Sequence, residues 1–160
     1  MVYLKSFFFN SLFYVGTGIL VIAMGPVLLF PSVCARALAR FWGYMTYLLL
    51  GMIGITQNVS GDRQLNRQVL YAVKHQSAWE TIILCWLLAA PAFVLKRELL
   101  WLPIIGWFFL KTGCIPVDRS AGMRALREMR AAGQDLAKKK RSMLIFPQGT
   151  RVAPGAKQPY

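Results

Sequence analysis

"VLYAVKHQSAWETIILCWLLAA", Val69 to Ala90, decides the fold, because its texture changes halfway along. Val69 to Val73 is a short β-branched and aromatic run and reads as a buried strand. His75 follows at its end, and Ser77 opens a strongly apolar helix that stops before Pro91. A strand feeding a helix is the repeating unit of an α/β sheet, and the rest of the chain repeats it. Ala92–Leu95, Cys114–Val117 and Ser142–Phe146 read as three further strands. Leu99–Leu110 is aromatic-rich and interrupted by Pro103 and Gly106, so it reads as a broken segment lying at an interface. Between the last two strands, Ser120 is placed to cap a helix whose Met123, Leu126, Met129 and Leu136 form an apolar stripe against an Arg/Lys-rich face.

Upstream the chain is different. No charged residue occurs from Phe7 to Phe30, a run longer than a signal-peptide core and long enough to cross a bilayer, which takes about 20 apolar residues. Phe41–Ile55 is a second apolar run, with Trp42, Tyr44 and Tyr47 suited to the headgroup level. Pro26, Pro31, Arg36 and Arg40 lie between them as a turn with a basic rim. The expectation is a membrane-associated helical hairpin over residues 1–56, either partly inserted or anchored by one true span, followed by an α/β domain over 57–160.

Composition agrees. Hydrophobic residues make up 56% of the 160, yet the net charge is +13, a combination suited to an anionic membrane surface. The apolar excess argues against nucleic acid as the partner. Cys34, Cys85 and Cys114 are scattered, which suits reduced thiols facing the cytoplasm, and with a single histidine no metal site is expected.

That histidine opens the question of chemistry. On a continuous helix His75 and Glu80 would sit about 140° apart, at roughly 100° per residue. If His75 lies in the loop before Ser77, a carboxylate in the first helical turn can reach the imidazole, fix its tautomer and leave the other nitrogen free as a base. The competing reading is a capping box, with Glu80 on the Ser77 backbone N–H. Both hold together if Ser77 caps through its own hydroxyl while Glu80 turns to His75. "IFPQGTR", Ile145–Arg151, offers Gly149, Thr150 and Arg151 for phosphate, or is a plain strand-to-loop turn with a solvated arginine. Lys96 and Arg97 end one strand, where α/β folds place ligands. Asp118 and Arg119 end another and can equally pair with each other. Since each cluster follows a strand, all four would gather at one edge of the sheet.

This ordered set resembles the 1-acylglycerol-3-phosphate O-acyltransferases, a glycerolipid acyltransferase family with H-x-x-x-x-D, K-x-E-L, G-x-x-x-x-D-R and F-P-E-G-T-R segments. The counterparts are His75 with Glu80, Lys96 with Glu98-Leu99, Gly113 with Asp118-Arg119, and "FPQGTR" from Phe146 to Arg151, and "LPIIGW" is also similar to the family. The resemblance implies a glycerol-3-phosphate acyltransferase-like sheet with flanking helices. It implies a catalytic pair of His75 and Glu80, with Lys96, Arg119, Gln148, Gly149, Thr150 and Arg151 around the substrate phosphate. The implied reaction moves a fatty acyl group from acyl-CoA or acyl-acyl carrier protein to the sn-2 hydroxyl of lysophosphatidic acid, giving phosphatidic acid, with no cofactor or metal. The implied setting is the inner, cytoplasmic membrane of a bacterium, the site facing the cytoplasm, with membrane lipid and the acidic carrier as partners.

Glu80 and Gln148 stand where the family has aspartate and glutamate, and an amide gives up the charge. The family domain continues with further strands beyond the position of Tyr160, so a C-terminally short domain is expected. The alternative expectation is a truncated or inactive relative that binds phospholipid without turnover.

Overall fold

The computed structural model describes residues 2–153 and 155–156. Two long helices come first, α1 (Val2–Val27) and α2 (Ser32–Met52), joined by the turn 28–31. Arg36 and Arg40, expected in that turn, lie within α2. Then strands and helices alternate: β1 (Leu70–Ala72), α3 (Trp79–Leu87), β2 (Ala92–Lys96), a 3-10 turn (Arg97–Trp101), α4 (Ile105–Thr112), β3 (Ile115–Val117), α5 (Met123–Lys138) and β4 (Met143–Ile145). The strands form one parallel sheet in the order β1-β4-β2-β3. Parallel neighbours need a crossover between them, and α3, α4 and α5 supply one for each successive pair of strands.

The core records this order. Leu144 of the inner strand β4 and Ala92 of β2 are fully buried. β1, expected as a buried strand, is instead an edge strand with Leu70 59% exposed, because β4 returns to pair with only one of its sides. α5 packs on β2 and β3 through Ala125, Met129, Ala132 and Leu136, whereas Met123 and Leu126 of the expected stripe are exposed. Small residues let the helix lie close to the sheet, so the buried face is centred on alanines. Ser120 does not cap α5. Its N–H and hydroxyl donate to Asp118, which holds a 3-10 turn over Arg119–Ala121, and α5 starts after Gly122, whose φ is +50°.

The N-terminal helices share packing with the sheet domain. Met24, Ala35, Ala39 and Phe108 form one buried cluster joining α1, α2 and α4. A Cβ at Gly43 would meet the Ile82 carbonyl of α3 at 2.6 Å, so α2 and α3 touch backbone to backbone there. Tyr47 and Tyr44, expected at the headgroup level, rest on the Trp86 ring at 4.7 and 5.5 Å. Leu102–Ile104 breaks the aromatic segment as expected, and Gly106 is required because a Cβ there would collide with the Leu100 carbonyl.

Candidate active site

All four strands run the same way, so the segments after β1, β2, β3 and β4 leave from one edge of the sheet. His75, Lys96, Asp118-Arg119 and Phe146–Arg151 are those segments. Strand order puts the loop after β4 between those after β1 and β2, which is why it touches His75 directly.

Three contacts from that loop hold His75. The backbone N–H of His75 donates to Gln148 Oε1 at 3.3 Å, and its carbonyl accepts from the Val152 N–H at 2.8 Å. Its ring stacks on Phe146, centroids 4.1 Å apart at 22°. Neither Phe146 nor Val152 was singled out from sequence as a contact of the histidine, and the aromatic beside "PQGTR" was the available signal. Gln148, expected at the substrate phosphate, thus serves the His75 backbone in this structure. The role needs only an acceptor oxygen, which an amide supplies as well as a carboxylate does.

Glu80 takes the capping-box arrangement. Its carboxylate accepts from the N–H of Gln76 at 2.6 Å, from the N–H of Ser77 at 2.9 Å and from the Ser77 hydroxyl at 2.7 Å. Ser77 Oγ in turn accepts from the Trp79 N–H at 3.1 Å, closing the helix start. The expected turn of Glu80 toward the imidazole is not made, because these donors already converge on both oxygens. His75 Nδ1 is buried and has no hydrogen-bond partner among the described residues.

Electrostatics follow from this geometry. Burial of the imidazole lowers the His75 pKa; Glu80 opposes the shift, while Arg151 and Arg119 add to it. The shift favours the neutral ring over the imidazolium. Burial works against ionisation of Glu80, but the bonds from Ser77 and from the Gln76 backbone outweigh it and hold the carboxyl below its usual value.

The cations are placed unevenly. Arg119 donates to the Gly149 carbonyl, tying the loop after β3 to the loop after β4. Gly149 has a φ of +70°, and a Cβ there would crowd Arg119 at 3.3 Å, two reasons for glycine at this turn. Thr150 and Arg151 are exposed at the same loop. Lys96 pairs with Glu98 at 3.3 Å at the exposed end of β2. Asp118 does not pair with Arg119; Arg124 lies 4.0 Å from it.

Lys96, Arg119, Thr150 and Arg151 are exposed, and their loops form a shelf at the sheet edge. A cavity of about 370 Å³ lies elsewhere, between α5 and the β1–β4 edge, and no candidate site residue lines it. Among the described residues no cluster of metal-ligating side chains occurs. Cys85 is a free thiol whose pKa burial pushes up to about 12, an unreactive setting.

Residues 56–159 match the acyltransferase family. The chain is 32% identical over 139 residues to a 1-acyl-sn-glycerol-3-phosphate acyltransferase of Pseudomonas aeruginosa, covering 86% of this chain and 54% of that one. It is 28% identical to the enzyme of the same name from Limnanthes alba, covering 84% of this chain and 49% of that one. The chain spans about half the length of the curated relatives it matches. The crystal structure of the 1-acyl-sn-glycerophosphate acyltransferase of Thermotoga maritima has the same fold, with a TM-score of 0.71 at 22% identity, over 97% of this chain and 65% of that chain.

Proposed function

The chain belongs to the acyltransferase family, and from that membership we propose that it transfers a fatty acyl group from a thioester to the sn-2 hydroxyl of lysophosphatidic acid. The observation that supports this most is the placing of His75: ring-stacked on Phe146, and held on both sides of its backbone by the loop that also carries Gly149 to Arg151.

In the proposed reaction His75 accepts the hydroxyl proton as the oxygen attacks the thioester carbonyl. The tetrahedral intermediate collapses, the carbon–sulfur bond breaks, and the imidazolium returns its proton to the departing thiolate. Phosphatidic acid and a free thiol result, and no electron donor or metal enters the balance. Glu80 orients the imidazole by turning one oxygen from the helix-start amides to Nδ1, which answers the orphaned nitrogen. Arg151, Thr150 and the backbone of Gly149 receive the phosphate, with Arg119 bracing the loop and Lys96 reached once it leaves Glu98. Gln148 supports the His75 backbone through its amide oxygen.

The donor is acyl-CoA or acyl-acyl carrier protein, both acidic, and a net charge of +13 speeds encounter with either. α1 is long and apolar enough over Tyr3–Val27 to cross a membrane. The setting that fits is the inner membrane of a bacterium, with the sheet domain on the cytoplasmic side.

A second reading has its own support. Glu80 is engaged with Gln76 and Ser77, which is also what a relative that binds phospholipid without turnover would show. Purified full-length chain in detergent, given lysophosphatidic acid and an acyl thioester, separates the two. Thioester-dependent phosphatidic acid should form and fall about 10²–10⁴-fold in His75→Ala, the usual worth of a general base. Lysophosphatidic acid binding without product, equal in both proteins, would support the second reading.

A further inference from the structure

α4 has two apolar faces where one is needed. Phe108 is buried against Met24, Ala35 and Ala39, and Gly106 and Thr112 are buried with it. The opposite face is as greasy and is not covered among the described residues: Trp107 is 62% and Leu110 50% exposed. The preceding turn adds Trp101 at 80% and Leu102 at 45%. Apolar side chains scattered singly on a surface need no explanation, but two tryptophans and two leucines within ten residues form a patch.

We propose that Trp101, Leu102, Trp107 and Leu110 form a lipid-contact surface, separate from α1, that seats the open edge of the sheet at the headgroup level of an anionic bilayer. Several features select lipid as the occupant. The patch lies on a helix whose other face packs against α1 and α2, and α1 itself exposes Phe7, Ile19 and Ile22, an apolar surface suited to a membrane. Indole combines an apolar ring with one N–H donor, the chemistry enriched where acyl chains meet headgroups. Lys96, Arg97 and Lys111 flank the patch and suit anionic headgroups.

Position gives the surface its use. The 3-10 turn with Trp101 begins where β2 ends, at the sheet edge that carries His75, and α4 leads away from that edge toward the start of β3. Seating the turn in the bilayer boundary brings the shelf to the depth where an amphiphile keeps its phosphate and free hydroxyl. This use rests on the proposed acyl transfer; the lipid contact itself does not.

The test needs no turnover, so an inactive protein would not be mistaken for a failed lipid seat. Full-length chain in vesicles of phosphatidylcholine and phosphatidylglycerol is compared with a Trp101→Ser, Trp107→Ser variant, using lipids brominated just below the headgroup. The proposal expects strong quenching of the indole emission and loss of most of the quenchable part in the variant, with aqueous iodide unable to replace it. A Trp101→Tyr, Trp107→Tyr variant removes the same indoles while keeping an amphipathic ring, and covers the case where serine prevents folding. Equal bromolipid quenching in parent and variants would overturn the proposal. So would indoles shielded from both quenchers in a protein-concentration-dependent way, which assigns the patch to a second copy of the chain.

Discussion

His75 is held by one loop in backbone and ring alike, and this makes Gln148 and the solvent pH the sharpest handles on it. Because burial and the two arginines keep the imidazole neutral, acidification removes the base only below the ordinary histidine value of 6.5. The acid limb of kcat/KM for acyl transfer is therefore expected below that pH. The same shift acts on stability. The folded state favours the neutral ring, so its contribution is fully present above pH 6.5 and is lost as pH falls below it. Gln148→Leu removes the acceptor for the His75 N–H, a bond worth about 1 kcal/mol, and a roughly fivefold loss in kcat with KM little changed is expected. Gln148→Glu keeps the acceptor and adds a negative charge beside the ring, so the rate should survive while the acid limb moves up in pH. Steady-state kinetics over a pH series check both substitutions.

Elements explain what the residues inherit. The capping box at Ser77 and Glu80 starts α3 directly behind the histidine, and Ser77→Ala should cost about 1 kcal/mol, read from a denaturant midpoint. Gly43→Leu should do more damage, because no rotamer clears the Ile82 carbonyl, and it should loosen α2 from the sheet domain, as hydrogen exchange along α3 would show. The strand–helix alternation was legible because each strand run ends in a charged or turn-forming cluster, and parallel strands then deliver those clusters to one edge. The capping box was legible too, from the spacing of Ser77 and Glu80. The edge position of β1 was not, since "VLYAV" reads alike in a central and an outer strand until β4 chooses a side. Half of the stripe on α5 was legible, Met129 and Leu136, while contact with the sheet selected Ala125 and Ala132 in place of Met123 and Leu126. Which way Glu80 would face lay beyond sequence, being a choice between backbone amides and an imidazole of similar reach.

At the scale of the whole molecule, an apolar helix and a strongly basic domain are built as one packed body. Charge and greasiness can be separated by salt. At 1 M the screening length is about 3 Å, so attraction of the basic surface to anionic lipid is largely lost while burial of α1 is not. The full chain should remain with the membrane fraction through a 1 M salt wash; release into the supernatant would mean that charge alone holds it. The central claim, that the one histidine of this chain is the base for acyl transfer, is reached most directly by following that imidazole and the reaction together. The measurement is the initial rate of thioester-dependent phosphatidic acid formation across pH, set beside the NMR titration of His75 in the same detergent. The account predicts that both curves share one midpoint below 6.5 and that activity is lost as the ring becomes charged. A rate that passes unchanged through the imidazole titration would contradict it.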